Sequence, residues 1–144
     1  MNACPFAQRW IRIALVYFLT AVALGVVMAA SHDFRLRGLH VHLNLLGWVS
    51  MALTGAVYHL FPAAAQSRAA RLHFWLYNLS LPVMMASLAG VLLGHPSAEP
   101  VVAISSIAVL CAVAIFVLTV LLQRSGTSAA TAASPAALPS ARSA

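Results

Sequence analysis

The sequence predicts an all-α protein, an integral membrane four-helix bundle. Three observations carry that reading. Hydrophobic residues make up 62% of the 144-residue chain and charged residues only 7%, against roughly 25% charged in a soluble domain. Mean hydropathy is +0.94. The apolar residues also fall into four runs, each close to the roughly 20 residues that cross a hydrocarbon core, and short stretches holding Pro, Gly or Arg separate them. One membrane domain is expected over residues 1–124. Residues 125–144 hold mostly Ala, Ser, Thr and Pro, with nothing to bury, and are expected to form a disordered tail.

The first span is expected over about 11–30, with Arg9 and Arg12 at its start. Small residues at Met28-Ala29-Ala30 resemble a signal-peptide cleavage site, but the apolar stretch is longer than a signal core, so the span is read as retained. The second span, about 39–60, stops before Pro62. The third, about 72–93, contains Pro82, which removes one backbone hydrogen bond and should kink the helix. Gly94, His95, Pro96 and Pro100 mark the next turn. The fourth, about 101–122, is the plainest; its Ser105, Ser106 and Thr119 can bond their own helix.

The net charge of +6 comes from eight arginines against Asp33 and Glu99. The arginines sit at the ends of apolar runs, which suits anionic lipid and not nucleic acid. Arg9, Arg12, Arg68, Arg71, Arg124 and Arg142 fall on one side of the membrane and Arg35 and Arg37 on the other. Both termini are therefore expected in the cytoplasm. Cys4 and Cys111 are too far apart along the spans to pair.

The second span holds the chemistry. It reads LHVHLNLLGWVSMALTGAVYHL, and ionisable residues inside a membrane are costly enough to mark functional sites. Successive helical residues are about 100° apart, so His40 and His42 point roughly 160° apart and serve different faces. His40 shares its face with Asn44, Gly47, Met51, Gly55 and Tyr58, a small and polar stripe suited to close helix contact or a cofactor edge. His42 shares its face with Leu46, Val49, Leu53 and Leu60. Neutral imidazole binds haem iron, copper or zinc. No carboxylate or cysteine stands nearby to complete a zinc site, and the leucine face suits a large apolar ligand, which favours haem. Copper held by His32, His40 and Met28 is the alternative. Alternatively, both histidines simply anchor the helix end at the water interface. Tyr58, His59 and His73 are read as interfacial anchors.

His40-Val41-His42, Leu46-Gly47-Trp48-Val49, Gly55-Ala56, Tyr58, Leu60 and Pro62 together resemble the tenth helix of haem–copper oxidase subunit I. The resemblance is to the branch of C-type cytochrome c oxidases and nitric-oxide reductases. His73-Phe74-Trp75 resembles the start of the eleventh helix, so the likeness covers about Gly38 to Met85. It implies that His40 serves a high-spin haem and His42 a low-spin haem. Asn44 and Trp48 would then pack around the porphyrin, and Gly47 and Gly55 would allow its close approach or that of a helix. Leu43 and Asn44 stand where the family has small residues. The family's other haem and copper ligands lie on helices that have no counterpart here, so one copy of the chain is not a complete oxygen reductase. The expected function is b-type haem binding in a bacterial inner (plasma) membrane, in electron transfer or haem handling. The expected partners are lipid, further copies of the chain, or respiratory oxidase subunits. The rival expectations are a haem-free structural or assembly subunit of such an oxidase and a copper-binding membrane protein.

Overall fold

The computed structural model describes residues 4–123; the expected tail at 125–144 lies outside them. Four helical rods are long and apolar enough to cross a membrane, which gives the expected all-α membrane bundle. The first rod is α1 (Pro5–Ser31). The second is built from α2 (Arg37–His42), a π-helical segment (Leu43–Ser50) and α3 (Met51–Leu60). The short α4 (Pro62–Ala65) follows, then α5 (Arg68–Leu92), a 3₁₀ turn (Pro96–Ala98) and α6 (Glu99–Leu121).

α1 begins earlier than the hydropathy run suggests, because Pro5 occupies the start of the helix, where its missing N–H costs nothing. The added turns carry Ala7 and Trp10 into the core, and Arg9 and Arg12 point outward. The buried side of α1 is Ala7, Trp10, Ala14, Ala21 and Met28. The seven-residue spacing of the three alanines and Met28 keeps a narrow seam of small side chains against the second rod. Gly55 fits that seam: a methyl group on it would lie 2.8 Å from Ile11 and 3.0 Å from the Ala7 carbonyl oxygen. At the other end of the contact Trp48 lies against Phe18, ring centroids 4.1 Å apart.

The second rod ends at Leu60, and Pro62 opens α4. Ser67 caps α5 by accepting a hydrogen bond from the Ala70 N–H at 3.0 Å, satisfying one of the donors a helix start leaves free. α5 runs without interruption through Pro82. It closes with a paired cap: His95 N–H reaches the Gly90 carbonyl and Gly94 N–H the Val91 carbonyl, each at 3.0 Å. This closure requires the left-handed conformation that Gly94 adopts at φ 97°. α6 buries Ser105, Val109 and Ala112, all toward α5, and offers the rest of its surface to lipid. Ser105 and Thr119 donate to carbonyls one turn back, as their place in an apolar helix requires.

α1 packs along the second rod, and α5 packs along α6. The two hairpins meet through α2 against α5 at one end and through an aromatic cluster at the other. Between α1 and α2, Arg35 pairs with Asp33 at 2.6 Å in an exposed loop. The Arg35 guanidinium and backbone N–H bonded to the Asp33 carboxylate hold it well below its usual range, at about 2.

Candidate functional site

The two histidines of the second rod diverge as expected from an α-helical pitch, and their surroundings differ sharply. His40 turns toward α1. Its Nδ1 lies 2.9 Å from the Ala21 carbonyl oxygen, which only accepts, so the proton sits on Nδ1. Nε2 then accepts from the Asn44 amide at 3.3 Å, and the same amide donates to the His40 carbonyl at 2.9 Å. Gly25 makes room for the ring: a methyl group there would lie 2.9 Å from His40 Cε1. Both imidazole nitrogens are engaged and the Cε1 side of the ring is pressed on α1. As packed, His40 is a latch between two rods.

His42 is different. Its Nδ1 donates to the Gly38 carbonyl at 2.8 Å, one turn back on its own helix. This fixes the tautomer and leaves the Nε2 lone pair without a hydrogen-bond partner among the described residues. Iron- and zinc-binding histidines are held in this way, with the far nitrogen anchored to a carbonyl and the near one free. His42 lines a shallow groove of about 180 Å³ with Val41, Leu45 and Leu46. Formed ligand pockets run from about 300 Å³ upward, so the groove is one wall of a site and needs a second.

The remaining residues singled out in the sequence cluster on the α1 side with His40. Asn44 bonds His40, Trp48 meets Phe18, and Gly47 faces Tyr17, whose ring would lie 2.6 Å from an added methyl group. None lines the groove at His42. Among the described residues no group of three or more His, Cys, Asp or Glu side chains gathers as a metal cluster. Of the residues suggested for copper, Met28 is buried and His40 is occupied by Ala21 and Asn44.

The π-helical segment falls directly after the two histidines. A π turn widens the helix and frees it from the regular ladder, and such turns recur at functional sites. Here the irregular backbone is served by side chains: Ser50 donates to the Leu45 carbonyl at 2.7 Å, and Tyr77 on α5 donates to the Leu46 carbonyl at 3.0 Å. The inward stripe expected of a regular helix survives the segment: Gly47, Met51, Gly55 and Tyr58 are all buried. Leu43, one turn before Gly47, joins it in the core.

Reading Tyr58 and His73 as interfacial anchors is corrected by the structure. Tyr58 and His73 are 0% and 1% exposed. Their hydroxyl and Nδ1 lie 2.9 Å apart inside a cluster of Phe6, Trp10, Phe74, Tyr77 and Phe116. Trp10 stacks on His73 with ring centroids 4.6 Å apart, and its indole N–H is buried without a hydrogen-bond partner among the described residues. His59 is exposed near the end of α3. The signal that was available is the pairing of Tyr58 with Gly55 and Met51 on the inward stripe. His73 carried no such mark, because α5 has polar groups on several sides.

Among solved structures no match was found, and no family model matches the chain. Among curated proteins the Cbb3-type cytochrome c oxidase subunit CcoN1 of Stutzerimonas stutzeri is 37% identical over a 73-residue alignment. The chain resembles part of a haem–copper oxidase subunit I. The alignment takes in 46% of this chain and 15% of that subunit. The likeness therefore belongs to a fragment of a much longer protein, embedded here in four membrane-crossing helices.

Proposed function

We propose that this membrane protein binds a b-type haem through His42, in electron transfer or haem handling, with a second copy of the chain or an oxidase subunit closing the site. The observation that carries this reading is the anchored imidazole: Nδ1 tied to Gly38 at 2.8 Å and Nε2 free beside an apolar groove. The donor set fits. A neutral imidazole is an axial ligand of haem iron, and Val41, Leu45 and Leu46 offer the greasy surface a porphyrin edge needs. Bound there, the haem would supply a one-electron couple. The chain's own part is to hold His42 in one tautomer and to keep water away with the leucine-rich face. The groove is a half-site, which fits assembly with another subunit, the context named by the oxidase relative. His40, latched to Ala21 and Asn44, is assigned to holding α1 against the second rod.

The test is an absorbance spectrum of protein purified from haem-sufficient cells, with a reduced-minus-oxidised difference. Sharp b-type bands are expected, lost in His42→Gln and kept in His40→Gln. A colourless wild-type protein would sink the proposal. It would favour the second reading, a haem-free structural or assembly subunit of a respiratory oxidase, in which His42 only anchors the helix end at the interface. The close packing of His40, Gly47 and Trp48 on α1 suits that reading equally well.

A further inference from the structure

A second polar place lies deep in the bundle, away from the groove at His42. α3 and α6 do not pack along each other; Phe116 reaches across to Tyr58 in an edge-to-face contact, ring centroids 5.4 Å apart. The gap forms a cleft of about 220 Å³, its polar lining Ser50, Thr54, His73 and Tyr77 beside the Phe116 ring. Its rim faces lipid: Leu53, Val117 and Val113 are 60%, 42% and 37% exposed. Its floor is polar and sheltered, with Thr54 at 7% and His73 at 1%.

The donors in the cleft can be assigned. A buried hydroxyl needs an acceptor, and His73 Nδ1 lies 2.9 Å from the Tyr58 hydroxyl. Tyr58 therefore donates to Nδ1, and the His73 proton sits on Nε2. Neither His73 Nε2 nor the Thr54 hydroxyl has a hydrogen-bond partner among the described residues. Ser50 and Tyr77, by contrast, spend their protons on the Leu45 and Leu46 carbonyls. Two unspent donors thus line a cleft open to the bilayer. Phe116 and Tyr77 adjoin the imidazole, at 5.2 Å and 5.7 Å between centroids, and add aromatic lining that suits a flat ring.

We propose that this cleft binds the carbonyl-bearing ring of a lipid-soluble quinone, one oxygen accepting from His73 and Thr54, with its tail leaving between α3 and α6 into the lipid. The cleft is smaller than the pocket a whole drug-sized ligand fills, as suits a head group whose chain remains outside. This site is independent of haem binding at His42.

Trp10, stacked on His73, is the reporter. In a Trp48→Phe/Trp75→Phe background held in detergent, decylubiquinone is expected to quench Trp10 fluorescence saturably. Thr54→Val, which keeps the side-chain shape, should weaken that binding at least tenfold, and His73→Phe should do the same while keeping an aromatic ring in the stack. Circular dichroism checks that each variant is folded, and Thr54→Val decides alone if His73→Phe is not. Quenching that rises linearly with no saturation, or saturates equally in wild type and Thr54→Val, overturns the proposal. Dioctanoylglycerol, with ester carbonyls and no ring, should not displace the quinone. If it competes on equal terms, the cleft takes a lipid ester and the quinone assignment falls.

Discussion

At the scale of single residues, the chain is tuned by where hydrogens are placed. Tyr58→Phe would leave His73 Nδ1 buried without its donor. A loss of about 1–3 kcal/mol is expected, measurable as a lower midpoint in denaturant-induced unfolding of the detergent-held protein. Gly94→Ala should cost about 1–2 kcal/mol, since φ 97° is open to glycine and strained for alanine; the same unfolding experiment reads it. The exposed Asp33 gives a pH prediction. Its carboxyl is depressed to about 2 by Arg35, so the contact's stabilising effect is full above the ordinary aspartate range and is lost as pH falls toward 2. An NMR titration of the Asp33 side chain should give a midpoint near 2 that rises toward the ordinary value in Arg35→Gln. Some of this was legible beforehand. His40 and His42 had to point apart on any helix. That Asn44 would spend its amide on His40, and that Gly25 would receive the ring, depends on how α1 docks, which no local pattern encodes.

At the scale of elements, the second rod shows how a short irregularity can sit inside a span without turning its buried stripe. Its hydropathy reads as a single continuous helix, and the stop at Pro62 and the inward stripe of Gly47, Met51, Gly55 and Tyr58 follow from that reading. The π-helical turns do not. They arise because the widened backbone finds partners in Ser50 and, across the bundle, in Tyr77, and a partner 31 residues away leaves no periodic trace in the segment itself. Tyr77→Phe removes one of them. About 1 kcal/mol of destabilisation is expected, with faster amide hydrogen exchange concentrated in Leu43–Ser50. Gly55→Leu should be far worse, because the Ala7 carbonyl and the Trp10 stem stand in the way. Separation of α1 from α3 is expected, read as loss of a disulfide crosslink engineered between the two.

At the scale of the whole molecule, the four spans were plain from composition and run length, because lipid demands long apolar helices whatever their partners. The order of packing was not, since an apolar surface looks the same whether it meets lipid or protein. α6 illustrates this: it is the most hydrophobic rod, yet it commits only Ser105, Val109 and Ala112 to the interior. The inner aromatic cluster was hidden for the same reason, its members being spread over α1, α3, α5 and α6.

That division into hairpins has a consequence for how the protein could be taken apart. If the chain were cut between Ala65 and Ser67, each piece would remain a self-sufficient pair of spans. Rejoining would then fall to the rings of Trp10, Tyr58, His73 and Phe116, acting as a rivet through the seam, together with the Tyr77–Leu46 hydrogen bond and the contact of α2 on α5. Co-expressed fragments should copurify, and Trp10→Ala should let them drift apart while each half still inserts.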